Sequence, residues 1–182
     1  MTTILHCDTD LEIQVFRDDM ASYIFDQVCR NRAHLGRWLA WVPLTQQVSD
    51  SLDFLQHAQQ QSDADGLFRG AIVLEGRLVG TIGYHERSVA NRSASIGYWL
   101  DKDVTGRGVV TRSLHRLVQH GFEDLDLHRI EIRAAVGNEK SWRVAERVGF
   151  QREGCLRDVA LVNGHFQSHY VYSLLRSEYS IV

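Results

Sequence analysis

The chain has 182 residues, of which 44% are hydrophobic and 24% charged, and its formal net charge is −3. This composition is typical of a globular protein, and it excludes both a disordered chain and a strongly basic nucleic-acid-binding protein. The N-terminal segment lacks the basic and apolar regions of a secretory signal, and no apolar run approaches the roughly 18 residues of a membrane helix. We therefore expect one cytoplasmic domain over residues 1–182, with no nucleic-acid or membrane partner.

The first third of the chain combines one strand pattern with several helix patterns. Residues 11–16 alternate apolar and polar side chains, which predicts a half-buried strand. Residues 20–41 are rich in apolar side chains and predict two short helices with a break near Asn31. A further helix of about a dozen residues is then expected, with Ser49 or Asp50 as its N-cap.

The middle of the chain predicts a hairpin, a third strand and a long helix. Residues 67–74 and 78–85 flank a short glycine-containing loop, which is typical of two antiparallel strands. Residues 93–100 form another strand pattern. Residues 109–124 place their apolar side chains along one stripe, as an amphipathic helix does.

The last third of the chain predicts a strand, a short helix and a terminal hairpin. Residues 129–136 alternate again, and residues 141–148 form a helix pattern that ends at Gly149. Asn163-Gly164 is a strong turn signal between two strand-like stretches. The whole order of elements predicts an α/β (α+β) fold in which helices flank a mixed sheet.

The three cysteines, Cys7, Cys29 and Cys155, are an odd number without CxxC spacing, so we interpret them as reduced thiols. His165 and His169 would lie about 13 Å apart along one strand, which is too far for both to bind one ion. We therefore expect no metal site.

A glycine-bearing loop at residues 105–111 leads from the third strand into the long helix. Gly106 and Gly108 let the backbone turn sharply and approach a ligand closely. The unpaired amides and the dipole of a helix N-terminus favour a phosphate group at that point. The loop lacks the lysine of a Walker A motif and the spacing of GxGxxG. By itself this signal is weak, and a glycine-bearing connection before a helix is more often a plain turn.

Other motifs accompany this loop in a characteristic order. IGYWLD at 96–101 precedes it, RIEIRA at 129–134 follows the helix, and residues 138–150 then read NEKSWRVAERVGF. With these motifs the chain resembles the GNAT (Gcn5-related N-acetyltransferase) superfamily, and within it the branch that acetylates ribosomal proteins at N-terminal serine or alanine. The resemblance covers nearly the whole chain. It implies a mostly antiparallel central sheet with a splayed central strand pair.

The resemblance implies acetyl-CoA as the acetyl donor. The family's phosphate loop, Q/R-x-x-G-x-G/A, corresponds to residues 105–110, where threonine replaces the first residue and valine the last. The pantetheine arm would pair with the backbone near residues 99–101, and an N-x-x-S motif would lie beside the thioester. The implied cofactor-binding residues are Trp99, Leu100, Asp101, Thr105, Gly106, Arg107, Gly108, Val109, Val110, Thr111, Asn138 and Ser141.

Acetyl transfer needs a neutral amine and a proton for the departing thiolate. Ser141 is our first candidate for the proton donor, although a serine at this point would also suit a purely structural helix cap. Similar enzymes can carry a glutamate where this chain has Ala160, so that base is missing. His85 and Glu86 are the candidates in its place, with an ordinary strand-end role or a water relay as the alternative.

The acceptor amine is less well defined by the sequence. Trp38 and Trp41 belong to the segment that walls the acceptor groove in similar proteins, and their alternative role is core packing.

A protein N-terminus is the leading acceptor. The alternatives are a small amine, such as a polyamine or an aminoglycoside, and a non-catalytic acetyl-CoA sensor. A small-amine enzyme should have a closed acidic pocket, and a protein-modifying enzyme an open groove. The resemblance also favours a homodimer.

Overall fold

The computed structural model describes residues 3–179 of the chain. Within this range there are eight strands and four α-helices. The strands are β1 (Ile4–His6), β2 (Leu11–Val15), β3 (Arg69–Leu74), β4 (Arg77–Ser88), β5 (Ser93–Leu100), β6 (Arg129–Ala135), β7 (Gln151–Val162) and β8 (His165–Leu175). The helices are α1 (Ala21–Leu35), α2 (Val48–Asp65), α3 (Val109–Glu123) and α4 (Glu139–Arg147). Short 3-10 turns lie at Asp18–Met20, Val42–Leu44 and Lys102–Val104.

All eight strands belong to one sheet, in the order β1-β2-β3-β4-β5-β6-β8-β7. Among the described strands, β5 and β6 form the one parallel pair, and the other neighbours are antiparallel. This arrangement confirms the predicted mixed and mostly antiparallel sheet flanked by helices.

The two faces of the sheet carry two separate apolar cores. Because side chains alternate along a strand, Ala71 and Trp99 point to one face and pack with α1 and α2. Ile82 and Ile96 point to the other face and pack with α3 and α4. Helices therefore pack on both faces of the sheet at β3 and β5.

The central strands β5 and β6 part soon after they begin. Their parallel register runs over three residue pairs, from Ser93 opposite Arg129 to Ser95 opposite Glu131. β5 continues to Leu100 and β6 to Ala135, so their carboxyl ends form the two sides of a gap. This is the splayed pair that the resemblance implies. Because β5 and β6 are parallel and each is followed by a helix, α3 and α4 both begin at the same edge of the sheet.

The predicted break near Asn31 is wrong, because α1 continues to Leu35. Asn31 is buried and keeps its amide satisfied inside the helix. Its Nδ2 donates to the Gln27 carbonyl at 2.9 Å, and its Oδ1 accepts from the backbone N of Lys102 at 3.0 Å. The asparagine that suggested a helix end therefore anchors the loop after β5 to the middle of α1.

The predicted N-cap of α2 is also wrong. Gln47 is the N-cap, and Asp50, three residues on, accepts from the Gln47 backbone N at 3.0 Å. This reciprocal arrangement is a capping box that starts the helix earlier than Ser49. The sequence does not predict β1, because three residues are too few to show an alternation. Among residues 3–179, no helix is both long enough and apolar enough to cross a membrane.

Candidate active site

The loop between β5 and α3 has the conformation that its glycines predict. Gly106 and Gly108 have φ angles of 81° and 72°, in the left-handed region that favours glycine. Gly108 is the N-cap of α3. A Cβ atom at either glycine would meet no heavy atom of residues 3–179 within 4 Å. The space above the first amides of α3 is therefore open to a ligand.

A cavity of about 770 Å³ lies beside this loop, between the end of α1, the end of β5 and the first turns of α3 and α4. It is lined by ten of the twelve residues that the resemblance implies for the cofactor. These are Trp99, Leu100, Thr105, Gly106, Gly108, Val109, Val110, Thr111, Asn138 and Ser141.

The side chains of the remaining two candidates make other contacts. Asp101 is buried, and its Oδ1 accepts from the backbone N of Asp103 at 3.1 Å, which caps the short turn after β5. The Arg107 guanidinium donates to the Glu75 carboxylate at 3.1 Å. Both side chains therefore shape the loop, and a role of their backbone groups in cofactor binding remains a prediction.

Four cationic side chains that the sequence analysis missed also line this cavity: Arg37, Lys140, Arg143 and Arg147. Three of them lie on α4, where the spacing of the last two by four residues places them on one face. Burial and the charges of Lys140 and Arg37 lower the pKa of the neighbouring His34. A cavity with open helix amides and several cations fits a polyanion such as coenzyme A.

Ser141 lies inside this cavity but does not cap α4. It is the third residue of the helix, and Asn138 is the N-cap, so the purely structural interpretation of Ser141 as a cap is wrong. Its Oγ donates to the hydroxyl of Tyr98 at 3.2 Å, and that hydroxyl donates to the Ser141 carbonyl at 3.0 Å. Burial raises the pKa of Tyr98 to about 12, so the phenol is protonated at neutral pH.

A second cavity, of about 260 Å³, lies on the face of the sheet that α1 and α2 cover. It is lined by Phe16, Leu39, Trp41, Phe54, His57, Ala58, Gln61, Arg69, Thr81, Ile82, Gly83, His85, Gly97, Tyr98 and Trp99. Three of these, Leu39, Tyr98 and Trp99, also line the first cavity. The two cavities therefore meet at the end of β5.

Two glycines keep the floor of the second cavity open. Gly83 and Gly97 are paired across β4 and β5, so they face the same side of the sheet. A Cβ atom at Gly97 would lie 3.2 Å from the His85 ring, and one at Gly83 would lie 2.8 Å from Cα of Arg69. Larger residues at these positions would displace the neighbouring strand or fill the cavity.

Of the two candidates for a base, the structure brings His85 to the site. The walls of the second cavity lower its pKa by desolvation, and the charge of Arg69 lowers it further, so the neutral imidazole is favoured. Glu86 is not among the described residues that line the two cavities. Its carboxylate lies 3.7 Å from the Arg133 guanidinium. The two neighbours in sequence therefore have different surroundings.

The two candidate tryptophans line different cavities. Trp38 lines the first cavity, and its ring packs against Gly137. Trp41 lines the second cavity, is 37% exposed, and has its ring centroid 6.4 Å from that of Trp99. The alternative role, core packing, would need fully buried side chains, and neither tryptophan is fully buried.

Three side chains hold the segment that carries these tryptophans. Arg32 of α1 donates to the carbonyls of Val42 and Thr45, both at 2.7 Å. From the β7–β8 hairpin, Asn163 donates to the Gly36 carbonyl at 2.8 Å and Gln167 to the Arg37 carbonyl at 2.9 Å. The sequence analysis missed all three, because their partners are backbone carbonyls that leave no pattern in the sequence.

The described residues contain no group of three or more histidine, cysteine or acidic side chains arranged to hold a metal ion. All three cysteines are free thiols. Burial is the main cause that raises the pKa of Cys7 to about 11, which disfavours its thiolate and thus its use as a nucleophile.

Comparison with known proteins agrees with this geometry. Residues 11–151 match the acetyltransferase (GNAT) domain family. The putative ribosomal N-acetyltransferase YdaF of Bacillus subtilis (strain 168) is 35% identical over 171 residues, which cover 93% of each chain. The ribosomal-protein-serine acetyltransferase of Escherichia coli (strain K12) is 27% identical over 95% of this chain and 97% of its own.

A solved structure gives the same result for the fold. RimL, a ribosomal L7/L12 alpha-N-protein acetyltransferase in complex with coenzyme A, superposes with a TM-score of 0.91 at 25% sequence identity. The match covers 94% of this chain and 97% of that chain. The chain belongs to the GNAT acetyltransferase family, and it is an N-acetyltransferase that takes its acetyl group from acetyl-CoA.

Proposed function

We propose that this enzyme acetylates the free α-amino group at the N-terminus of a protein, and that the protein is a ribosomal one. The observation that carries the proposal is the lining of the second cavity. None of the fifteen described residues around it is an aspartate or a glutamate. The cavity thus offers a largely aromatic and apolar surface to the acceptor, because the charge of Arg69 is already paired with Asp65 at 2.6 Å.

This surface suits a neutral amine better than a polycation. An α-amino group has a pKa of about 7.7–8.0, so roughly a tenth of it is neutral at pH 7. Amines that resemble lysine have pKa values near 10.4 and are almost wholly charged. A polyamine would need carboxylates to replace the water that it loses on binding. The names of the relatives, which refer to ribosomal proteins, support the same acceptor class.

The residues at the site would divide the work as follows. The first amides of α3 and the cations on α4 would bind the phosphates of acetyl-CoA, which supplies the activated acetyl group. His85, on the acceptor side, would take the proton that the amine loses, directly or through water. Ser141, on the cofactor side, would give a proton to the departing sulfur. We therefore refer to the first cavity as the cofactor cavity and to the second as the acceptor cavity. The amine and the thioester would meet where Tyr98 and Trp99 line both cavities.

The test is a thiol-release assay with acetyl-CoA and matched acceptors. Two peptides carry a free serine or alanine N-terminus and an internal lysine, and their controls differ only in a blocked α-amino group. A polyamine and an aminoglycoside complete the set. We expect release with the unblocked peptides alone, and mass spectrometry should find the acetyl group on the α-nitrogen.

Other outcomes of this assay would contradict the proposal. Release with the polyamine or aminoglycoside alone would assign a small-amine transferase, and equal release with blocked peptides would assign a lysine acceptor. Binding of acetyl-CoA without release from any acceptor in the set, even with purified ribosomal proteins, would favour a non-catalytic sensor.

The cytoplasmic location and the homodimer remain predictions. β7 lies at one edge of the sheet, and Leu156, Val159 and Leu161 expose apolar surface along it. An edge strand of this kind can pair with the same strand of a second copy. Sedimentation velocity of the purified protein over a range of concentrations measures the oligomeric state directly.

A further inference from the structure

Tyr98 is one of three described residues that line both cavities, and its hydroxyl also contacts Ser141. Its side chain comes from the central strand β5 and lines both cavities, and its hydroxyl makes two contacts with Ser141, 43 residues away in sequence. Ser141 itself lines the cofactor cavity. The tyrosine therefore connects the junction of the two cavities with the serine that we propose as the proton donor.

The hydrogen bonds of this pair can be arranged in two ways. Each hydroxyl has one proton to donate and lone pairs that accept. In the first arrangement, Tyr98 donates to the Ser141 carbonyl at 3.0 Å and the Ser141 hydroxyl donates to Tyr98 at 3.2 Å. Both protons are then used within the pair, so Ser141 has none to offer to a ligand.

The second arrangement needs only a rotation of the two hydroxyl protons. Tyr98 then donates to Ser141 Oγ across the same 3.2 Å contact, and the proton of Ser141 becomes free to point into the cofactor cavity. A hydroxyl that accepts one hydrogen bond is polarised and donates a stronger one. The heavy atoms do not move between the two arrangements.

We propose that Tyr98 is a positioning residue, whose hydroxyl donates to Ser141 Oγ during acetyl transfer and so directs the serine proton to the departing sulfur. The proposal rests on the role of Ser141 in the proposed function. As the new C–N bond forms, the C–S bond breaks and the sulfur takes the proton of Ser141. The amine loses one proton to the solvent through His85 or water, and Ser141 regains one from the solvent, so protons balance.

Tyr98 keeps its own proton throughout this step. Burial disfavours the phenolate, as the raised pKa of Tyr98 indicates, and a phenol that stays neutral remains a donor at every stage. Its backbone is fixed by pairing with Ile82 in the centre of the sheet. The sheet thus holds the backbone of the donor, and the two contacts of its hydroxyl reach Ser141 in the first turn of α4.

The test is a comparison of Tyr98→Phe, Ser141→Ala and the double variant. We expect Tyr98→Phe to lower kcat about tenfold, while the KM for acetyl-CoA and the Kd for coenzyme A stay within about twofold. Because Tyr98 acts through Ser141, the double variant should be no slower than Ser141→Ala alone. Tyr172→Phe is the matched control, since its buried hydroxyl contacts Glu146 at 3.0 Å on another part of the sheet, and its kcat should not change.

Two further measurements keep the result interpretable. Unchanged coenzyme A affinity shows that a slow variant is folded at the site. Incorporation of 3-fluorotyrosine at position 98 retains the hydroxyl and the shape of the ring, so it should restore most of the lost kcat.

The outcomes separate this inference from the proposed function. A normal kcat for Tyr98→Phe, with a loss for Ser141→Ala, overturns the role of Tyr98 and leaves the serine assignment intact. Independent, multiplicative losses in the double variant also overturn it. A normal kcat for both single variants removes the role of Ser141 and, with it, the role of Tyr98. Peptide acetylation itself is tested separately by the thiol-release assay.

Discussion

At the scale of single residues, the proposed function assigns the two proton transfers of acetylation to different residues. His85 lies on β4 and lines the acceptor cavity, whereas Ser141 lies on α4 and lines the cofactor cavity. Tyr98 and Trp99 stand between them. In the proposed mechanism a proton would therefore be removed from the amine at one cavity and supplied to the sulfur at the other, so neither residue would have to perform both tasks.

Replacement of Ser141 by alanine tests the second of these tasks. We expect kcat to fall at least tenfold with little change in acetyl-CoA affinity, because the hydroxyl interacts with the departing sulfur rather than with the phosphates. Steady-state kinetics with coenzyme A titration measures both quantities. Ser49→Ala, an exposed serine on α2, is the control. Equal losses of affinity and of kcat would mean that Ser141 acts in binding.

Replacement of His85 by glutamine tests the first task through its pH dependence. The pKa of His85 is lowered below 6.5, so the neutral base is present above that lowered pKa and is lost as the pH falls through it. We expect kcat/KM of the parent enzyme to fall on this acidic limb in addition to the titration of the α-amine. The limb should disappear in His85→Gln.

His115→Gln is the control for this pH profile. Desolvation also lowers the pKa of His115, but this residue lies on α3 and is not among the described residues that line the two cavities. The acidic limb should therefore persist in that variant. A limb that persists in His85→Gln would assign it to another group.

At the scale of elements, the important feature is the N-terminus of α3. The helix has 15 residues, and its amides are presented by a loop with two left-handed glycines. Asn31, in the middle of α1, fixes the start of this loop by accepting from the backbone N of Lys102. The proposed phosphate site on α3 would thus be held in place by a helix on the opposite face of the sheet.

Gly108→Ala should weaken coenzyme A binding at least tenfold. Alanine in the left-handed region costs roughly 1 kcal/mol, and its methyl group would occupy space above the α3 amides. Gly149→Ala is a matched control. Gly149 follows the C-terminus of α4, has a φ of 95° and has an equally open Cβ position. Both variants should lose similar stability in urea denaturation, but only Gly108→Ala should lose affinity in calorimetry. Equal affinities would place the phosphates elsewhere.

At the scale of the whole molecule, charged side chains connect the three strands beyond the splay, β6, β8 and β7. Glu153 of β7 accepts from Arg129 of β6 at 2.6 and 2.7 Å and from Ser173 of β8 at 2.7 Å. One carboxylate thus connects three strands on the side of the gap opposite to β5. These hydrogen bonds, that from Arg129 above all, lower the pKa of Glu153 to about 2.

This lowered pKa gives a prediction for acid stability. Because the folded pKa is about 2 and the ordinary value is 4.5, the contribution of Glu153 is complete above pH 4.5 and is lost as the pH falls towards 2. Glu153→Gln should therefore lower the free energy of unfolding at neutral pH and show a weaker loss on acidification. Urea denaturation over this pH range measures both effects, with Glu12→Gln as the control. Parallel pH curves for the two variants and the parent would contradict the prediction.

Much of the fold follows from local patterns. The alternation at residues 93–100 and the apolar stripe after Val109 match β5 and α3 almost to the residue, and Asn163-Gly164 forms the expected turn. The candidate cofactor residues came from the resemblance, and ten of the twelve line one cavity, at the end of β5, on the loop before α3 and at the starts of α3 and α4. The error at Asn31 arose because its side chain accepts from Lys102, 71 residues away in sequence. The N-cap of α2 was misplaced within a capping box of near neighbours, Gln47 and Asp50.

The sequence by itself determined most of the elements and the glycine loop, since turn chemistry and periodicity depend on residues close together in the chain. Its motifs also carried the resemblance to the family. Only the tertiary structure decided that His85 reaches the acceptor cavity and Glu86 does not. It also decided that Tyr98 meets Ser141 across 43 residues of sequence. Such contacts depend on how far the strands splay and how the helices pack on each face, and these are properties of the assembled sheet rather than of any segment of it.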